Sequence, residues 1–217
     1  MQEVERYKLS TRVLHWIVAA SFLVLAITGL FLFVPWFSAA AWWGWSGVAH
    51  RIGAAIFVLA PVVFLLSGNW SRSWSFVKEA FAWGKDDVEW FKAAPDYYFG
   101  GDPSRMPPQD HINTGQKLYW LTVLVASAIL LVTGIIMWFF KGIVTTGVLQ
   151  WSIFLHSLAF IGLGIFFLVH FQLSALHPRM PESLGSMIWG KVSAKYAQSH
   201  HGKWYDRISA GEEAQEA

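Results

Sequence analysis

The sequence predicts an all-α integral membrane protein, a bundle of four transmembrane helices, on three observations. Of 217 residues, 55% are hydrophobic and only 14% charged, where a soluble domain carries about a quarter charged residues. Fourteen are tryptophan, which collects at membrane–water interfaces. Four apolar stretches, at about 13–36, 47–67, 118–140 and 148–173, reach the roughly 20 residues needed to cross a bilayer. Lipid offers no partner to open backbone groups, so such segments must be helices.

In chain order, a polar segment of mixed charge precedes span one, and the apolar run after it is too long for a signal peptide. The connection 37–46 is short, so spans one and two form an antiparallel hairpin. Span two carries His50 and Arg51. Residues 68–117 read as a polar loop. Span three, 118–140, holds no charge. The short connection 141–147 closes a second hairpin with span four, which carries His156 and His170. A polar tail, 174–217, follows, and the whole of 1–217 reads as one membrane domain.

Lysine and arginine set the orientation. Fourteen of the 16 basic residues lie before span one, in the 68–117 loop or in the tail, leaving Arg51 and Lys141 for the other side. Both termini and the long loop are therefore expected in the cytoplasm. The hairpins also resemble each other. Leu14-His15-Trp16 and Thr28-Gly29 in span one are matched by Leu118-Tyr119-Trp120 and Thr133-Gly134 in span three.

Composition also excludes functions. A net charge of +2, without a basic cluster interleaved with aromatics, gives no footprint for nucleic acid. There is no cysteine, hence no disulfide, iron–sulfur ligation or covalent CxxCH haem attachment in the chain. A small transporter would show broken helices or acidic residues at the membrane midplane, and no Asp or Glu falls within any span.

Histidine within a span is costly unless it faces the bundle interior with a partner. Four of the eight histidines lie in or at the spans: His15, His50, His156 and His170. The predicted topology sorts them into two depths, His50 with His156 at the outer side and His15 with His170 at the cytoplasmic side. His156 and His170 are 14 residues apart, a rotation roughly 40° short of four turns and a rise of roughly 21 Å. One helix face thus presents both imidazoles, a spacing that suits two b-type haems stacked across the membrane. Two axial nitrogens per iron leave no open position and favour electron transfer. Each histidine taken alone could instead be polar glue between helices.

Gly29, Gly53, Gly134, Gly162 and Gly164 could admit a macrocycle to the helix backbone or simply allow close helix packing. Arg51 could neutralise a haem propionate or snorkel to the interface. His111, His177, His200 and His201, in the loop and tail, are expected to be solvated.

With these residues in hand, the chain resembles the gamma subunit, of cytochrome b556 type, of membrane-bound respiratory formate dehydrogenases. The resemblance rests on His15-Trp16, the His50 span, Asn113-Thr114-Gly115-Gln116-Lys117, Leu131-Val132-Thr133-Gly134, and His156 with His170. It rests also on the tail, Gly190-Lys191-Val192-Ser193 with His200-His201 and Lys203-Trp204-Tyr205. The wider superfamily includes the cytochrome b subunits of nickel–iron hydrogenases.

The resemblance implies a subunit of the bacterial inner membrane that does not itself act on formate. Its partners would be an iron–sulfur beta subunit and a molybdopterin (Mo or W) catalytic alpha subunit. Electrons would pass by the outer and then the inner of two haems b to menaquinone or ubiquinone at the cytoplasmic side. His50 and His156 would hold the outer haem, and His15 and His170 the inner. Asn113, Gly115 and Gln116, with His170 at the edge, would form the quinone pocket. By residue type alone, Asn113 or Thr114 is a helix cap with Gly115 and Gln116 exposed. An equivalent subunit of a hydrogenase or of a thiosulfate or tetrathionate reductase is the alternative.

Overall fold

The computed structural model describes residues 2–40 and 44–211; positions 41–43 of the first connection and 212–217 of the tail lie outside the described residues. Four long apolar helices are present: α1 (Leu9–Phe33), α2 (Trp45–Phe64), α5 (Thr114–Ile135) and α6 (Thr146–Phe171). Shorter helices are α3 (Trp70–Phe81), α4 (Lys85–Tyr98), α7 (Ser183–Trp189), α8 (Ala194–His200) and α9 (Gly202–Ser209). With 25 residues, α1 is about 37 Å long, more than a hydrocarbon core of about 30 Å. The ends of α5 and α6 widen into π turns at Ile136–Phe140 and Gln172–Leu176, whereas Leu65–Asn69, after α2, is a kink with Ser67 and Gly68 out of helical conformation.

Bounds differ from expectation by a few residues, with one consequence: α5 begins at Thr114 and takes Lys117 into its first turn. Beyond the helices, two three-residue strands, β1 (Glu3–Glu5) and β2 (Lys191–Ser193), pair antiparallel with Val4 opposite Val192.

The chain forms two compact units. One comprises Leu14–Val63 and Leu121–Val169, the bodies of the four long helices. It is built inside-out relative to a soluble domain. Ser21, Thr28, Ser46, Thr133 and Ser152 are buried, while Leu32, Ile52, Val125, Phe139, Leu158 and Ile165 are exposed. Small polar residues let helices approach closely, and the large apolar ones suit lipid.

The second unit gathers the described residues of Met1–Val13, Phe64–Trp120 and His170–Ala217. The polar loop and tail are thus folded together with the N-terminal segment. Val192, Tyr196, Ala197 and Trp204 form a buried core, with Val4, Met180, Tyr205 and Ile208 packed against it. Gly68 at φ +84° ends the helical path of α2 and redirects the chain into α3, a conformation that favours glycine. Gly190 is also left-handed at +84°, and a Cβ there would stand 2.7 Å from the Tyr7 carbonyl oxygen. That close approach lets the Gly190 carbonyl accept from both Arg6 N–H (2.8 Å) and Tyr7 N–H (3.1 Å), pinning the tail to the N-terminal segment.

The expectation of four solvated histidines is corrected here. His201 is 2% exposed and its Nδ1 lies 2.7 Å from the Asp110 carbonyl. His111 Nε2 lies 3.2 Å from the Arg6 carbonyl, its ring edge-on to Tyr7, Phe76 and Trp204. His177 and His200 reach the carbonyls of Tyr98 and Arg179. Hydropathy misleads at these positions because the partners are backbone carbonyls, which sequence does not display. Burial, and then the neighbouring Arg6 charge, lowers the pKa of His111 to about 4. Burial likewise holds His201 well below the usual histidine range.

Candidate functional site

Within the first unit, α2 and α6 bring His50 and His156 together, ring centroids 6.4 Å apart and planes at 55°. The two rings are held in the same way. Thr28 Oγ1 lies 2.9 Å from His50 Nδ1, and Thr133 Oγ1 lies 2.8 Å from His156 Nδ1. Each hydroxyl donates its proton to the carbonyl one turn back, Thr28 to Val24 and Thr133 to Ile129, both at 2.6 Å. The hydroxyl oxygens can therefore only accept from the imidazoles. Both rings must carry hydrogen on Nδ1, leaving Nε2 as a bare lone pair.

The next residue completes each half. A Cβ on Gly29 would lie 3.5 Å from His50 Cε1, and one on Gly134 would lie 3.6 Å from His156 Cε1. Each imidazole thus lies against the bare backbone of the facing helix. The glycine question accordingly divides. Gly53 serves helix packing, its Cβ position 3.3 Å from Val24, whereas Gly162 and Gly164 face open space. Arg51 lays its guanidinium over the Trp138 ring at 5.5 Å.

This donor set fits a haem iron. With metal–nitrogen bonds of about 2 Å, two imidazoles on opposite faces of one metal place their centroids about 6 Å apart. The observed separation is 6.4 Å. Locking the ligand tautomer through the second ring nitrogen is the usual outer-shell device at such sites. Among the described residues, no group of three or more His, Cys, Asp or Glu converges to hold a bare metal ion.

The other two histidines fall in different units and are described separately. His15, on α1, meets Trp16 edge-on at 5.3 Å. His170, near the end of α6, stacks flat on Tyr119, centroids 4.4 Å apart and planes at 7°.

Asn113, Gly115 and Gln116 lie at the head of α5 in the second unit. Asn113 N–H donates to Gln116 Oε1 (2.8 Å) and Gln116 N–H donates to Asn113 Oδ1 (2.9 Å), a reciprocal helix cap. Gly115 and Gln116 are half-buried, not exposed as the cap alone suggests. A Cβ on Gly115 would press on the Trp90 ring at 3.0 Å. Beneath the cap lies a buried charge cluster that composition did not reveal. Lys117 Nζ donates to Asp87 Oδ1 (3.0 Å) and to the Ala82 carbonyl (2.8 Å). Asp87 also accepts from Thr114 Oγ1 (2.7 Å) and from Gly84 N–H (2.8 Å). Burial pushes the Asp87 carboxyl up, but Thr114, Lys117 and Gly84 outweigh it and hold its pKa below the usual range.

Thr28 and Thr133, which hold the two rings, are the site residues that reading by type passed over. Their signal was the Thr-Gly pair repeated in spans one and three.

The chain is similar along nearly its whole length to proteins of one kind. The cytochrome b556(Fdn) subunit of the nitrate-inducible formate dehydrogenase of Escherichia coli K12 is 28% identical over 221 residues, 99% of this chain and 95% of that protein. The formate dehydrogenase cytochrome b556 subunit of Haemophilus influenzae is 28% identical over 208 residues, 92% of this chain and 81% of that protein. The cytochrome b556(fdo) subunit of Escherichia coli K12 is 26% identical over 217 residues, covering 94% and 93%. Residues 6–190 match the model of the family described as prokaryotic cytochrome b561. The chain therefore belongs to the prokaryotic cytochrome b561 family.

Proposed function

We propose that the chain is the di-haem cytochrome b subunit of a bacterial respiratory formate dehydrogenase. It would carry electrons from an iron–sulfur subunit to a quinone at the cytoplasmic face of the inner membrane. The observation that carries this reading is the twinned arrangement of Thr28 with His50 and Thr133 with His156. Two imidazoles in one tautomer, with ring centroids 6.4 Å apart, are the residues that would hold one haem iron. When bound, haem supplies one-electron transfer without an open coordination position. The protein's part is to fix ring orientation through Thr28 and Thr133, and to admit the ring edges at Gly29 and Gly134.

A second haem is assigned to His15 and His170 from their predicted depths. The cytoplasmic location of both termini is carried by the 14-to-2 division of basic residues. Asn113 and Gln116 suit a quinone rim: their side-chain carbonyls are engaged in the cap, while the amide NH₂ groups have no hydrogen-bond partner among the described residues. Formate as the ultimate donor, and iron–sulfur and molybdopterin partner subunits, are supported by what the similar proteins are named for.

The test is purification from native membranes in mild detergent, with haem measured against protein. The expected result is about two b-type haems per chain, co-purifying with an iron–sulfur and a molybdopterin subunit. A haem-free chain would sink the reading, and a hydrogenase or sulfur-compound reductase as the partner would replace formate as the donor.

A further inference from the structure

We propose that Tyr119 is a quinone-binding residue that couples the quinone pocket to the His170 ligand. The inference rests on the pocket proposed at Asn113, Gly115 and Gln116, and adds a residue to it. Tyr119 follows Gly115 by four positions and Gln116 by three on α5, so it lies on their face of the helix about one turn further in. Its ring stacks flat on His170, 4.4 Å between centroids and 7° between planes. The side chain is half-buried, yet among the described residues its hydroxyl has no hydrogen-bond partner. Tyr119 therefore holds a free phenolic donor in place, with its ring fixed by the imidazole.

The ligand class follows from what the cluster offers. The Asn113 and Gln116 amides and the Tyr119 hydroxyl are uncharged donors, and the Trp90 ring flanks Gly115. A flat ring bearing carbonyl oxygens meets these needs, whereas an anion would look for a cation. Lys117, the nearest in sequence, is occupied by Asp87 and the Ala82 carbonyl. The internal repeat adds a separate observation. Tyr119 in Leu118-Tyr119-Trp120 stands where His15 stands in Leu14-His15-Trp16. The first hairpin thus has an imidazole where the second has a phenol, so the inner ends of the hairpins differ in chemistry.

The experiment uses the intact, haem-loaded complex in detergent, with menadione as the naphthoquinone probe. Binding is read by fluorescence quenching, and the haems by low-temperature electron paramagnetic resonance. Tyr119→Phe keeps the stack and removes the hydroxyl; it should weaken menadione binding about tenfold, the worth of one hydrogen bond, with the haem signals unmoved. Tyr119→Leu should weaken binding and also shift the low-spin signal of the His170-ligated haem, because the imidazole loses the ring that fixes its plane. Wild-type binding by Tyr119→Phe, with Gln116→Ala weakened, overturns the role of Tyr119 and leaves the pocket standing. Wild-type binding by both variants overturns the pocket and this inference together. An unshifted haem signal in a folded Tyr119→Leu complex overturns the coupling to His170, and if that variant fails to assemble, Tyr119→Phe alone decides.

Discussion

Replacing Thr28 or Thr133 by valine removes one hydroxyl while keeping a β-branched side chain of nearly the same volume. In the wild type each hydroxyl accepts from a histidine Nδ1–H at 2.9 and 2.8 Å. That bond makes the imidazole a more basic ligand, which favours the oxidised iron. A hydrogen bond of this kind contributes about 1 kcal/mol. If all of it distinguishes ferric from ferrous haem, each substitution raises the midpoint potential by about 40 mV, since 59 mV corresponds to a tenfold change for one electron. The double variant should move by about 80 mV if the two bonds act independently. Threonine to serine at either position retains the acceptor and should move it little. The assay is a potentiometric titration of the α band in the purified complex, resolving each haem present. Both valine variants must move the same haem, because the two threonines hold the two faces of one site. If Thr28→Val moved one haem and Thr133→Val the other, the assignment of His50 and His156 to one iron would be wrong. If neither moved either haem, the threonines would be packing residues only.

Three further outcomes follow from the polar unit. Gly190→Ala places a Cβ 2.7 Å from the Tyr7 carbonyl at φ +84°, and should cost on the order of 2 kcal/mol, seen as faster hydrogen exchange in β1 and β2. Lys117→Met strands the Asp87 carboxylate without its 3.0 Å partner and should lower stability by about 3–5 kcal/mol; adding Asp87→Asn should restore much of the loss in a thermal unfolding assay. The contribution of His111 to the unit should weaken in mild acid, against an opposite contribution from Glu79, whose carboxyl burial pushes up to about 7. The folded pKa of His111 is about 4, against 6.5 for the free side chain. Its stabilising effect is complete above pH 6.5 and is lost as pH falls from there towards 4, when the unfolded chain takes up the proton first. That difference in pKa corresponds to on the order of 3 kcal/mol. A His111→Gln variant whose stability fell as steeply over that window would refute it.

What could be read in the sequence was whatever carries a large, local free energy. Spans of apolar residues and histidines within them are each costly to misplace, so the four helices and the pairing of His50 with His156 were legible. Thr28 and Thr133 were not, because a threonine in an apolar helix satisfies itself on the carbonyl one turn back whether or not it serves a neighbour. Their partners are 22 and 23 residues away across a hairpin. The loop and tail hid their order for another reason. Strands of three residues and helices of seven or eight are too short for periodicity to register. What orders them is side chain to backbone contact, as in His201 to Asp110 and His111 to Arg6.

The two hairpins agree at one end of the site and disagree at the other, and the disagreement is the more informative. Thr28-Gly29 against His50 and Thr133-Gly134 against His156 repeat to within about 0.1 Å in the hydroxyl–Nδ1 distance and in the approach of a glycine Cβ to Cε1. A site with one ligand from each half needs that equality, since a metal bound on both faces wants two equivalent donors. Aligned instead by Leu14-His15-Trp16 and Leu118-Tyr119-Trp120, one residue out of that register, His15 corresponds to Tyr119. Fourteen residues past His156 stands His170, but fourteen past His50 stands Phe64. Each hairpin therefore carries one further histidine and one aromatic at these positions, His15 with Phe64 and His170 with Tyr119. Departure from the repeat frees those positions for another task. In the second hairpin the departing residue brings a phenol against His170, one turn from a cap with uncommitted amide donors. Chemistry that must accept protons as well as electrons needs such donors; the threonine hydroxyls beside His50 and His156 already donate to helix carbonyls.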